Sequence, residues 1–285
     1  METVQLNIEN GFFQYGTFGR RAGEGQKGGM LLQNVNLTCR SGEAVAVLGT
    51  NGAGKSTMLR CMLGFETWNS GKTLLDGTDI RLMRPNQLWR KIGYVPQRPQ
   101  NSLALETEEM VLLGRSSQRG LFSQPSKADR EAAVRWMERL SIRHLQGRLC
   151  SRISGGELQL VMMARALAAD PGILVMDEPE TGLDYRNRLQ LLRLLRELKT
   201  EGLGVIFNTH YPENSFETAD QILLMNGNGE CRFGPAEEQL RAAALEWAYH
   251  VSFQTELISV EGHSRLCVIP YEEEREQKKM PVEKE

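Results

Sequence analysis

The chain has 285 residues, 40% of them hydrophobic, enough to bury a sizeable core as one large or two small domains. A formal net charge of -2 gives no general pull toward nucleic acid, and no apolar run approaches the roughly 18 residues of a membrane span. The five cysteines, Cys39, Cys61, Cys150, Cys231 and Cys267, form no C-x-x-C pair, which argues against a zinc or disulfide framework and fits a reducing cytosol.

Val4, Leu6 and Ile8 alternate as one face of a strand, without the basic head and apolar core of a signal peptide. Asn10-Gly11 reads as a turn before Phe12, Phe13 and Tyr15. Residues 16–29, rich in glycine, arginine and lysine, read as a mobile, solvated loop. A strand over 31–38 and a turn at Ser41-Gly42-Glu43 lead to a short apolar strand at 44–48. Then comes Gly49-Thr50-Asn51-Gly52-Ala53-Gly54-Lys55-Ser56-Thr57, followed by a helix from 58 to 63.

That stretch matches the phosphate-binding pattern G-x-x-x-x-G-K-[ST] in its required strand–loop–helix setting. Glycines let backbone N–H groups close around phosphate oxygens, and the following helix dipole points its positive end at the same anion. Lys55 is expected to reach the β- and γ-phosphates, and the Ser56 hydroxyl to bind Mg²⁺.

Further along, 74–82 holds a short strand and an Asp76-Gly77 turn, and 92–95 is a strand ended by Pro96-Gln97. From 106 to 149 the pattern is helical, with Ala133, Trp136, Met137 and Leu140 as the apolar face of a helix over 127–140. Residues 154–169 form a helix started by an S-x-x-E capping box, Ser154 and Glu157. Residues 173–176 are a buried strand ending in Asp177-Glu178. Leu191, Leu192, Leu195 and Leu198 stripe a helix over 185–199. Strands at 204–207 and 222–225, a helix over 235–249 and a weak hairpin around Gly262 follow, and 272–285 reads as a disordered charged tail. Alternating strands and helices predict an α/β fold with a mostly parallel sheet covered on both faces.

Phosphoryl transfer needs a cradle, a metal, a water-orienting group and positive charge. Asp177, at the end of an apolar strand, is placed to hold Mg²⁺, and Glu178 to polarise the attacking water.

With these residues in hand the chain resembles the ATPase subunits of ATP-binding cassette (ABC) transporters over about residues 3 to 240. The matching motifs are the phosphate loop, Gln97 in Y-V-P-Q, Ile153-Ser154-Gly155-Gly156-Glu157, Asp177-Glu178-Pro179, Thr181-Gly182-Leu183-Asp184, and His210 in N-T-H. The resemblance implies a phosphate-loop, RecA-like core with an antiparallel β portion and an inserted helical subdomain. It implies one ATPase domain over 1–245, interrupted by the insert at about 100–162, then a short extension over 246–271. It implies ATP and Mg²⁺ as ligands, with Tyr15 stacking on adenine, Gln97 contacting Mg²⁺ and sensing the transporter, and His210 linking the γ-phosphate to Glu178. Ser154, Gly155, Gly156 and Glu157 would bind the γ-phosphate held by a second copy, with Asp184 in the interface loop. The implied partners are that second copy, a separate membrane permease and a solute-binding protein, with no nucleic acid; the implied place is the cytoplasmic face of the membrane.

Val111-Leu112-Leu113-Gly114-Arg115, Gly120-Leu121-Phe122, Asp129, S-G-G-E and residues 246–270 resemble importers of iron chelates, haem and cobalamin, with molybdate or other oxyanion importers as a related branch. The alternative class is a soluble ABC ATPase acting in DNA repair or translation, although no coiled coil, zinc module or second cassette is visible. A binding module without catalysis is disfavoured by the complete motif set. The chain departs from the pattern at Ile153 for Leu, Glu157 for Gln, and Glu180 for the usual Thr or Ser. Composition and spacing offer no reason for Glu180.

Overall fold

The structure, a computed structural model, describes residues 3–16, 30–97, 104–118 and 124–272. Most of the 16–29 loop, Gly120-Leu121-Phe122 and the charged tail beyond Glu272 lie outside the described residues. In chain order the first half comprises β1 (Gln5–Phe13), β2 (Leu32–Arg40), β3 (Ala44–Gly49), α1 (Lys55–Met62), β4 (Ser70–Leu75), β5 (Thr78–Asp79), α2 (Pro85–Lys91), β6 (Ile92–Val95), α3 (Thr107–Leu112) and α4 (Lys127–Arg139). The second half comprises α5 (Gly155–Ala168), β7 (Ile173–Met176), α6 (Tyr185–Thr200), β8 (Gly204–Asn208), α7 (Pro212–Thr218), β9 (Gln221–Met225), β10 (Cys231–Pro235), α8 (Ala236–Gln239), α9 (Ala242–Tyr249), β11 (Ser252–Val260) and β12 (His263–Tyr271).

A six-stranded sheet in the order β10-β9-β3-β8-β7-β6 forms the centre, parallel except for the β9–β10 pair. Its inner strands β3, β7 and β8 are buried at every position, as continuous apolar runs require when both faces are covered. Along β3, Ala44, Ala46 and Leu48 face the core under α5 and α6. Val45 and Val47 face the other core, built with α1 and the antiparallel sheet β2-β1-β4-β5. The α6 leucine stripe is buried as read, with Leu194 added to it; each such leucine contributes roughly 1.5–3 kcal/mol. The helical stretch from α3 to α5 lies between β6 and β7 in the chain, as an insertion into the sheet.

Two readings need correction. Asn10-Gly11 is a bulge inside a continuous strand, where the register shifts against both neighbours. Gly11 lies against the Trp68 indole, where a Cβ would come within 2.9 Å of the ring, so the close approach requires glycine without a reversal of the chain. The 235–249 helix is two helices, α8 and α9, broken at Leu240, which is buried beneath the break. Leu245 in α9 is fully buried in the main core, and the β11–β12 hairpin follows that helix. The short elements α2, α7 and β10 carry too little periodicity to read; α2 and α7 are opened by Pro85 and Pro212 in the first helical turn.

Parallel pairing aligns strand ends. Val95 pairs with Met176, Met176 with Phe207, and Val47 with Asn208, so the segments leaving β3, β6, β7 and β8 emerge side by side.

Candidate active site

The phosphate loop leaves β3 at Gly49 and enters α1 through Gly54, the helix N-cap, at φ +96. No side chain caps this helix and no acidic residue stands in its first turn, so its N-terminal N–H groups and positive dipole end suit an anion. A Cβ on Gly54 would come within 2.9 Å of Leu32, in a left-handed conformation that disfavours any side chain. Lys55 is buried, and its Nζ donates to the Gly49 carbonyl at 2.8 Å and the Thr50 carbonyl at 3.1 Å. Burial pushes its pKa below the ordinary lysine value, opposed by the Glu178 and Asp177 carboxylates.

Ser56 Oγ donates to Asp177 Oδ1 at 2.9 Å, and Asn208 Nδ2 donates to the same oxygen at 2.6 Å. Burial raises the Asp177 pKa, against these two hydrogen bonds. Glu178 has φ +48, unusual for a residue with a side chain, and its N–H donates to Asn208 Oδ1. That backbone turn carries the carboxylate into a set of donors: Gln97 Nε2 at 2.6 Å, His210 Nε2 at 2.7 Å and Thr181 Oγ1 at 3.2 Å. Burial alone would raise the Glu178 pKa, but the hydrogen bond and field of His210, then Gln97 and Thr181, hold it below the usual glutamate value. A carboxylate kept ionised beside the phosphate loop can accept a proton from water.

Tyr15 is exposed, stands edge-on to Phe13 at 4.9 Å between ring centroids, and its hydroxyl lies 3.1 Å from Thr57 Oγ1. It therefore flanks the phosphate loop. Among the described residues no group of three or more His, Cys, Asp or Glu is placed to share a metal. The oxygens of Ser56, Asp177 and Gln97 are the donors near the loop that suit a hard cation such as Mg²⁺.

The signature residues open a second helix, α5, through a capping box. Ser154 Oγ accepts from the Glu157 N–H at 3.3 Å, while Glu157 Oε2 accepts from the Ser154 N–H and hydroxyl, both at 2.8 Å. These bonds pull the Glu157 carboxyl below its ordinary pKa and turn it toward its own cap. Ser154, Gly155, Gly156, Glu157 and Asp184 line one groove of about 450 Å³, and no residue of the phosphate loop contributes to it. Asp184 caps α6, accepting from the Asn187 N–H at 2.7 Å. Thus Gln97, Asp177, Glu178 and His210 meet at the phosphate loop, while the signature residues and Asp184 meet elsewhere.

Asn208 escaped the sequence reading. It ties Asp177 to the Glu178 backbone, and its one signal is a polar residue ending an otherwise apolar strand just before Thr209-His210. An aromatic groove of about 410 Å³, lined by Phe65, Trp89, Tyr94, Leu113 and Arg165 among others, was also not anticipated. It runs beside β6, which leads to Gln97.

A parallel sheet with a phosphate loop, a hydroxyl–aspartate pair and an activated glutamate defines a phosphate-loop nucleoside triphosphatase. The ABC transporter family model matches residues 32–181. The molybdate import ATP-binding protein MolC of Haemophilus influenzae is 31% identical over 86% of this chain and 88% of its own length. A structure described as a metal-chelate type ABC transporter in an inward-facing conformation superposes with a TM-score of 0.80 at 28% identity, covering 94% of this chain and 98% of the other. The dimeric structure of a bacterial ABC transporter cassette gives a TM-score of 0.69 at 27% identity over 81% and 98%. The chain belongs to the ABC transporter family and is an ATP-binding subunit of that family, an ATPase. No helix among the described residues is long and apolar enough to cross a membrane.

Proposed function

We propose that this chain is the ATP-hydrolysing motor of an importer, acting as a pair of copies on the cytoplasmic face of a separate membrane permease and energising uptake of a metal chelate of the iron–siderophore, haem or cobalamin type. The observation that carries the reading is the extent of the match to the metal-chelate type transporter. It takes in 94% of the chain, against 81% for the dimeric cassette, a difference large enough to include the β11–β12 hairpin. A solute-binding protein belongs to the same reading.

In this reading ATP lies along residues 49–57, with Tyr15 against adenine and Lys55 on the β- and γ-phosphates. Ser56, Asp177 and Gln97 would hold Mg²⁺; the oxygens of Ser56 and Asp177 already meet at 2.9 Å, and the Gln97 amide stands beside Glu178. Held by these residues, Mg²⁺ would supply positive charge against the charge that develops on the phosphates. Glu178 takes the proton of the attacking water while His210 holds that carboxylate in place. The signature groove of each copy takes the γ-phosphate presented by the other, which accounts for its separation from the phosphate loop. The groove of Phe65, Trp89 and Tyr94 receives the permease beside the strand that leads to Gln97, whose amide donates to Glu178.

A second reading, import of molybdate or another metal oxyanion, is favoured by the likeness to MolC. The deciding experiment is a mild-detergent pull-down of the tagged chain from native membranes, then reconstitution of the captured complex in vesicles with candidate solutes. A captured complex containing a permease, whose ATP turnover rises with an iron chelate, haem or cobalamin, supports the first reading, and stimulation by molybdate the second. Capture of ribosomal or DNA-repair proteins, with no polytopic partner, would remove both and leave a soluble ABC ATPase.

A further inference from the structure

Glu180 is the departure from the family pattern that neither the phosphate cradle nor the signature uses. Its side chain is buried, and its Oε1 accepts a hydrogen bond from the hydroxyl of Thr209, which is fully buried. That hydroxyl oxygen accepts in turn from the N–H of Tyr211 at 3.1 Å, and the Thr209 N–H donates to the Val47 carbonyl at 3.1 Å. The residues on both sides of His210 are therefore fixed through one hydroxyl, and that hydroxyl is oriented by Glu180. A second tie runs parallel to it: the Arg188 guanidinium lies 4.9 Å from the ring centroids of both Tyr185 and Tyr211. His210 sits between these ties with Nε2 on Glu178 Oε1.

We propose that Glu180 is a positioning residue for hydrolysis: by orienting the Thr209 hydroxyl it sets the backbone that aims His210 at Glu178. This rests on the reading of Glu178 and His210 as the pair that works on the attacking water. The two carboxylates, two residues apart, have opposite environments. Glu178 is held below its ordinary pKa by its donors, whereas burial pushes Glu180 above its own against a single hydroxyl donor and more distant charges. One is kept as an ionised acceptor at the reaction centre, and the other serves as a buried anchor behind it.

The test is steady-state ATP turnover of the full chain. Glu180→Ala and Thr209→Val should each lower kcat about tenfold, with the KM for ATP within about twofold of the wild type. Glu180→Gln, which keeps an acceptor oxygen in place, and Thr209→Ser, which keeps the hydroxyl, should stay within about twofold in kcat. The Glu180→Ala/Thr209→Val double variant should fall no further than either alone, and Glu180→Ala should cost nothing more in a His210→Ala background. Effects that multiply, or wild-type kcat in Glu180→Ala while His210→Ala is impaired, would overturn the proposal. Should Glu180→Ala not fold, the contrast between Thr209→Val and Thr209→Ser decides it: equal turnover sinks the idea. Normal turnover in His210→Ala and Glu178→Gln would instead remove the underlying reading, and the proposal with it.

Discussion

The two helices that the proposed function places against phosphate begin differently. α1 starts behind Gly54 in a left-handed turn, with no capping side chain, no acid in its first turn and a buried lysine at its first position. α5 starts behind Ser154 with a complete capping box and a carboxylate, Glu157, three residues on. At α1 no side chain takes the first N–H groups, which in the proposed reading leaves them to a nucleotide within the same chain. At α5 the Ser154 hydroxyl already answers one N–H, and the nearby carboxylate is occupied by hydrogen bonds from the N–H and hydroxyl of Ser154. In the proposed dimer, such a self-satisfied start can stand exposed until a phosphate held by the other copy reaches it. The lesson is that the same dipole serves a permanent site or a meeting point, depending on how much of its hydrogen bonding the chain satisfies itself.

The contrast can be broken at its strong end first. Lys55→Ala should lower kcat/KM for ATP by about 10²–10³-fold and abolish ATP binding to the isolated chain at ordinary concentrations, as read by turnover and by nucleotide titration. Ser154→Ala removes a cap worth about 1 kcal/mol and, in the proposed dimer, one γ-phosphate donor, and should lower turnover by about tenfold. ATP affinity measured at low protein concentration should not change in that variant; a matching loss of affinity would show that α5 belongs to the cis site and dissolve the comparison. Glu157→Gln keeps the capping geometry and removes the charge, so turnover should rise by no more than about threefold, with the larger gain at low salt.

The smallest effect is on stability. The folded pKa of Glu157 lies below that of an unfolded glutamate, about 4.3. Its contribution is therefore complete above about pH 4.5 and is lost as pH falls through the folded value. The gap in melting temperature between wild type and Glu157→Gln should be widest near neutral pH and close on acidification. A gap that widens in acid would contradict the hydrogen bonding seen at Ser154.

Much of the site was legible because its parts are local. The phosphate loop, the aspartate–glutamate pair at a strand end and the capping box each occupy consecutive residues whose backbone chemistry is readable in place. The short helices α2 and α7 and the strand β10 were not, since a few residues with an opening proline or an edge position carry no periodicity. Asn10-Gly11 reads as a turn from residue type alone; only the Trp68 ring packed against Gly11 makes it a bulge.

By itself the amino-acid order determined the alternation of strands and helices, the phosphate cradle, and which carboxylates stand near it. Tertiary structure alone decided that Asn208 links Asp177 to the Glu178 backbone, that Thr209 meets Glu180, and that Asp184 shares a groove with Ser154 rather than with the phosphate loop. The reason is register. Neighbouring strands β7 and β8 come from segments about thirty residues apart, and only their parallel pairing in the sheet brings the residues at their ends within hydrogen-bonding reach.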